Sequence, residues 1–218
     1  MTYQPSNQVI RIKFCGLTNS ADVLAAADSG ADAVGFVFVS QSRRYLTTEQ
    51  AVELVNLAKK HDLLTVALFA NQSAEEVCEV VARIEPEVLQ FHGDESVIFC
   101  EQFDRPYWKA IPMLSTNDWL AYAKQYASAD AWLLDSFGGS QIGGSGTKFV
   151  WFEIPSIYRN KVILAGGIDA SNVCQAIAET GVTFIDTSSG IESSPGVKSK
   201  EKMQAMVTQI RSVSREPE

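Results

Sequence analysis

Short runs rich in β-branched and aromatic residues alternate along the chain with longer segments in which apolar residues recur at helical spacing. Alternation of this kind specifies βα units and a parallel sheet, because a parallel strand is reached only by a crossover long enough to hold a helix. The strand candidates are residues 10–15 (IRIKFC), 33–38 (AVGFVF), 64–69 (LTVALF), 87–91 (EVLQF), 107–111 (YWKAI), 131–135 (AWLLD), 161–165 (KVILA) and 183–187 (TFIDT). Between them SADVLAAADSG, TEQAVELVNLAKK, SAEEVCEVVARI and SNVCQAIAETG read as helices, with acids or Ser/Thr at the front and, in two cases, a closing Gly. Eight such units favour an α/β fold of the closed (βα)8 TIM-barrel type over an open doubly wound sheet.

At 218 residues the chain has the usual length of a one-domain α/β barrel. A single domain over 1–218 is therefore expected, with short flexible segments at 1–8 and 213–218. The one long loop candidate is 136–147 (SFGGSQIGGSGT), and a loop so rich in glycine inside a compact domain points to function or movement. Eighteen basic against 26 acidic residues give a net charge of −8, which disfavours nucleic acid and anionic lipid as partners. A small anion is still admissible, because a few donors in a cleft set the local potential. The four cysteines form no CxxC pair and no dense framework, so neither a disulfide scaffold nor a zinc site is expected, and reduced thiols suit the cytoplasm. The amino-terminal MTYQPSNQVIRIKF lacks an apolar h-region, and no apolar run approaches the length of a membrane span. With two histidines, His61 and His92, a site built on several imidazoles cannot be assembled, and no metal is expected. The outer helices show no long apolar stripe beyond their core-facing one, which favours a monomer.

Side chains alternate along a strand, so Arg11, Lys13 and Cys15 share one face while Ile10, Ile12 and Phe14 pack on helices. Lys13 and Cys15 then point into the barrel, with Cys15 at the carboxyl end, where barrel enzymes hold their catalytic groups. The same phase turns Gln90 and His92, Leu133 and Asp135, and Phe184 and Asp186 inward. Taken singly, a cysteine is more often a small buried hydrophobe, an aspartate a helix cap and a histidine a structural residue. The coincidence of phase and strand end in Cys15, His92, Asp135 and Asp186 favours a functional set.

Glycine adds a second signal. Gly143, Gly144 and Gly146 surround Ser145, Gly166 and Gly167 follow VILA, and Ser188, Ser189 and Gly190 follow the last strand. Turns after strands seven and eight of a barrel let backbone N–H groups approach a phosphate. GGSGTK lacks the spacing and GK[ST] ending of a nucleotide P-loop. Arg43 and Arg44, directly after the second strand, include a guanidinium placed to grip a carboxylate; a solvated loop charge is the plainer alternative.

In order along the chain, KFCGLT, ADAVGFVF with SRRYL, LQFHGDE, KAIP, LLDS with GGSGT and FVW, ILAGGI and DTSSGIESSPGVK closely resemble the phosphoribosylanthranilate isomerases. The likeness runs from about residue 10 to about residue 200. It implies an aldose–ketose isomerase of tryptophan biosynthesis that carries out a cofactor-free Amadori rearrangement of N-(5-phosphoribosyl)anthranilate, a phosphoribosyl small molecule. By this resemblance Cys15 is the general base and Asp135 the general acid. Arg44, His92 and Asp186 fall on the anthranilate side, and Gly144, Gly166, Gly167, Ser189 and Gly190 in the phosphate loops.

Such roles need an aspartate raised from about 3.9 and a thiol helped modestly from about 8.5, the latter by Lys13, on the same face as Cys15, or by the developing iminium charge. The chain departs from the family pattern in VSQS after the second strand, in GTKFVW with Lys148 displaced by one place, and in Ser199 where an acid is usual. Another phosphosugar barrel and a catalytically silent barrel are the alternative readings. The cysteine at the first-strand position speaks against the histidine-pathway isomerase, which has an aspartate there, and retention of both Cys15 and Asp135 speaks against silence.

Overall fold

A computed structural model describes residues 9–116, 118–136 and 151–213. Eight parallel strands close into a barrel in sequence order: β1 (Arg11–Cys15), β2 (Ala33–Val37), β3 (Leu64–Phe69), β4 (Val88–Phe91), β5 (Tyr107–Pro112), β6 (Ala131–Asp135), β7 (Val162–Leu164) and β8 (Phe184–Thr187). Closure is made by the β8–β1 ladder, in which Arg11, Ile12, Lys13 and Phe14 stand opposite Phe184, Ile185, Asp186 and Thr187. The helices are α1 (Ser20–Ser29), α2 (Thr48–Lys60), α3 (Ala74–Ile84), α4 (Val97–Glu101), α5 (Trp119–Gln125), α6 (Val173–Thr180) and α7 (Lys200–Val213). After β8 a two-stranded antiparallel ribbon, β9 (Glu192–Ser194) with β10 (Val197–Lys198), precedes α7.

The helix boundaries follow from local chemistry. Thr47 with Gln50 and Ser73 with Glu76 form reciprocal capping boxes that satisfy the first free N–H groups of α2 and α3. Gly30 and Gly181 close α1 and α6 in the left-handed conformation. Ser199 accepts from the Lys202 N–H at 3.3 Å and so caps α7, which explains why a hydroxyl serves there in place of a carboxylate. Between β6 and β7 the described residues hold only the 3-10 turn Ser156–Lys161, without an α-helix.

Two apolar layers result from strand alternation. Ala33, Val66, Val88, Trp108, Ala110, Leu133, Ile163 and Phe184 fill the barrel, while Ile12, Phe14, Val34, Phe36, Leu89 and Ile185 face the helices. Arg11, expected to face inward, lies over the Phe184 ring at 4.4 Å. No helix among the described residues is long and apolar enough to cross a membrane. Residues 1–8, 214–218 and most of the 136–147 loop, including Gly143, Gly144, Ser145 and Gly146, lie outside the described residues, as does Lys148; Val213 ends α7.

Helix α4 has only five residues, so the barrel wall near β4 depends on aromatic packing. Phe91 is fully buried, with ring centroids of Phe69, Phe99, Phe103 and Tyr107 between 5.8 and 6.1 Å away. Phe91→Ala should destabilise the fold by about 3–5 kcal/mol, read as a lowered denaturant midpoint. A shift under about 1 kcal/mol would mean that the cluster repacks around the loss.

Candidate active site

A cavity of about 430 Å³ opens at the carboxyl ends of the strands, within the range of small-ligand pockets. Its walls include Cys15, Arg44, His92, Asp135, Asp186, Gly166, Gly167 and Ser189. The structure therefore brings together the residues singled out from strand phase and glycine pattern. Gly190 sits next to the wall in the 3-10 turn Ser189–Ile191, and Gly144 lies outside the described residues. Arg44 is half-buried and Arg43 exposed, which separates the two arginines left together by the sequence.

Lys13 is wholly buried beneath the cavity floor, and a buried ammonium requires a counter-charge. Asp186, its ladder partner across the closure, supplies one at 2.7 Å. Burial alone would push the Lys13 ammonium down, but Asp186 and then Cys15 reverse the sign and raise it. Cys15 behaves otherwise than expected. Burial pushes its thiol above the ordinary 9.0, and although Lys13 pulls it down, Asp186 opposes that pull. Lys13 does pull the thiol down as expected, but the expected net lowering is corrected: burial is the larger effect, and Asp186, 2.7 Å from the ammonium, offsets part of the lysine's pull.

Across the mouth, His92 Nε2 is 3.1 Å from Asp135 Oδ2, and Gln90 Nε2 is 3.0 Å from His92 Nδ1. The β4 loop carrying His92 is anchored from below by a buried lysine. Lys109 donates to the Phe91 and Gly93 carbonyls and meets Glu95 Oε2 at 3.1 Å, while Glu95 accepts from the Asn71 and Gly93 N–H groups. Gly166, at φ +79°, passes so close to β6 that a Cβ there would lie 2.8 Å from Asp135 Oδ1, so only glycine fits beside the carboxylate. The N–H groups of Gly167 and Ile168 have no backbone acceptor among the described residues, which suits an anion at that turn.

Two functional candidates were missed from strand phase, Glu192 and Lys198. Glu192 binds Arg44 through Nε at 2.6 Å and Nη2 at 2.9 Å, and Lys198 joins it at 2.8 Å. These cations hold the Glu192 carboxyl down at about 2 against the upward push of burial. The motif DTSSGIESSPGVK contains both residues, but nothing in its spacing says that they face Arg44. Among the described residues no group of three or more His, Cys, Asp and Glu side chains has the arrangement of a metal site.

A closed parallel barrel whose polar side chains and glycine turns converge on one cavity at the carboxyl rim defines a barrel enzyme. The comparisons then specify which. The profile of the family described as "PRAI: N-(5'phosphoribosyl)anthranilate (PRA) isomerase" matches residues 12–209. The N-(5'-phosphoribosyl)anthranilate isomerase of Stutzerimonas stutzeri is 42% identical over 205 residues, covering 94% of this chain and 99% of its own. The crystal structure of the Thermotoga maritima phosphoribosyl anthranilate isomerase, a protein described in a second structure as dimeric, superposes with a TM-score of 0.82 at 30% identity, covering 94% of this chain and 100% of that one. A phosphoribosyl anthranilate isomerase in complex with reduced 1-(o-carboxyphenylamino)-1-deoxyribulose 5-phosphate superposes at 0.78 with 29% identity, over 94% of this chain and 100% of that one. The chain belongs to the phosphoribosylanthranilate isomerase family.

The raised Cys15 thiol has a measurable consequence. It is protonated below its pKa, so a pH titration of thiolate absorbance, taken as the difference between the parent and Cys15→Ala, should show the Cys15 step above the ordinary value of 9.0. A step below that value would mean that Lys13 outweighs burial.

Proposed function

We propose that this chain, as an isomerase of tryptophan biosynthesis, converts N-(5-phosphoribosyl)anthranilate to 1-(o-carboxyphenylamino)-1-deoxyribulose 5-phosphate, with Asp135 as general acid and Cys15 as general base. The observation carrying this reading is that the two groups line one cavity together with the turns after β7 and β8. Asp135 gives its proton to the furanose ring oxygen as the C1–O bond breaks, which leaves a Schiff base. Cys15 then takes the C2 proton, and the resulting enolamine becomes the ketone by gaining a proton at C1 and losing the hydroxyl proton at C2. Carbon oxidation levels only exchange between C1 and C2, so the reaction needs no external oxidant or cofactor.

The electrostatics support that order. Burial holds the thiol up, and the cationic Schiff base formed by ring opening adds a positive charge next to Cys15 beyond that of Lys13. That charge favours the thiolate, the form able to accept the C2 proton, at the step that uses it. In the same reading Arg44 receives the anthranilate carboxylate, and Asp186 and His92 flank the arylamine. The phosphate meets the backbone at Gly166, Gly167, Ser189 and Gly190, together with Gly144.

The proposal takes residues 1–218 as one domain working in the cytoplasm as a monomer. Its large exposed apolar residues, among them Leu24, Tyr45, Ile98 and Ile157, come from different segments. Light scattering should return the mass of one chain, and twice that mass would overturn the monomer. For the chemistry, freshly made phosphoribosylanthranilate is mixed with protein and loss of its anthranilate-type fluorescence is followed. Cys15→Ala and Asp135→Asn should each lower kcat by about 10²–10⁴-fold with smaller changes in product-analogue binding. Undiminished turnover in either variant removes that residue from the mechanism.

A further inference from the structure

Arg44 reaches the cavity from the loop after β2, and its guanidinium offers two edges on which a carboxylate can sit in bidentate fashion. One of them, Nε with Nη2, is already filled by Glu192. The Glu192 side chain is buried, and both of its oxygens are saturated: Oε1 accepts from Arg44 Nε and Lys198 Nζ, Oε2 from Arg44 Nη2 and the Gly196 N–H at 3.1 Å. A carboxylate with that many donors has no capacity left for a ligand, so any influence it has on the reaction passes through Arg44.

Lys198 is itself fixed. Its ammonium donates to the Ser188 carbonyl at 2.9 Å and lies 3.3 Å from Ser188 Oγ, and that hydroxyl donates to the Cys15 carbonyl at 2.9 Å. The clamp is thus tied to the strand end that carries the thiol. On the other side, Gly16, at φ +76°, leaves room for the arginine stem, since a Cβ there would overlap Arg44 Cδ. Arg44 and Lys198 bring two positive charges to Glu192's one negative charge. The cluster keeps a net charge of +1 at the rim, which one ligand carboxylate would balance.

We propose that Glu192 is a positioning residue that takes the Nε–Nη2 edge of Arg44, is held there by Lys198, and so presents the Nη1–Nη2 edge to the carboxylate of the arylamine substrate. This rests on the reading of Arg44 given under Proposed function. It makes the β9–β10 ribbon the part of the enzyme that sets selectivity for an ortho-carboxylated arylamine over a plain one.

The test compares inhibition by two probes, reduced 1-(o-carboxyphenylamino)-1-deoxyribulose 5-phosphate and its phenylamino counterpart without the carboxylate. The readout is the ratio of their inhibition constants, which a general loosening of the fold leaves unchanged. Arg44→Ala should abolish the preference for the carboxylated probe, and Glu192→Gln should reduce it about tenfold, the scale of a charge-assisted hydrogen bond set out of line. An unaltered ratio in Arg44→Ala would overturn the reading of Arg44 itself. Loss of the preference in Arg44→Ala with the parent ratio retained in Glu192→Gln would overturn the positioning role alone. If Glu192→Gln does not fold, Glu192→Asp, one methylene short of both cations, should give a smaller loss of the same preference, and a parent ratio there overturns the proposal equally.

Discussion

Closure of the parallel sheet is the constraint on which the site depends. It sets β1 beside β8 and thereby brings Lys13 and Asp186, 173 residues apart, into a buried pair at 2.7 Å. Neither charge is tolerable alone at that depth, so the pair exists only in the closed barrel, and it stiffens the seam where the chain's two ends meet. The same seam carries Cys15, the Ser188 hydroxyl that holds the Cys15 carbonyl, and the ribbon that holds Arg44. The first and last βα units thus build one wall of the cavity jointly.

A chain of net charge −8 binds a phosphate and a carboxylate in this reading because its cations are kept where its surface average does not reach. Lys13, Lys109 and Lys198 are all buried, each answered by a carboxylate: Asp186, Glu95 and Glu192 respectively. Two of these pairs are locally neutral, although Asp186 of the first also lines the cavity. The third includes Arg44 as a second cation, and it is there, at the rim, that positive charge is left over.

Strand phase alone placed Cys15, His92, Asp135 and Asp186 on one rim, since alternation and the carboxyl-end rule need nothing beyond local sequence. The capped helices were legible for a similar reason: TTEQ (47–50) and SAEE (73–76) carry their capping boxes within four residues. Glu192 and Lys198 were not legible, because they follow the last strand in a short ribbon without periodicity, and the partner that gives Glu192 meaning is 148 residues away. The direction of the Cys15 shift was misjudged on the same ground. Lys13 is visible two residues before the thiol, whereas Asp186, which takes up its charge, becomes its neighbour only on closure. Local order in a sequence reports which side chains share a face; it does not report which charges cancel.

Strand order also accounts for the arrangement of roles. Going round the barrel from β6 through β7 and β8 to β1, one meets Asp135, then Gly166 and Gly167, then Asp186 and Ser189, and finally Cys15. The proposed acid and base stand three strands apart, with the turns proposed to hold the phosphate on the arc between them. Neighbouring strands are about 4.8 Å apart, so the two groups flank the cavity instead of touching each other. A phosphate held on the intervening arc directs the sugar toward the open centre, where the ring oxygen can face β6 while C2 faces β1. Arg44 lies one strand beyond the base, after β2, so the arylamine end runs away from the phosphate and past Cys15. In the proposed reading the two proton transfers are separated by geometry before any chemistry occurs, and one carboxyl and one thiol can serve in sequence without quenching each other.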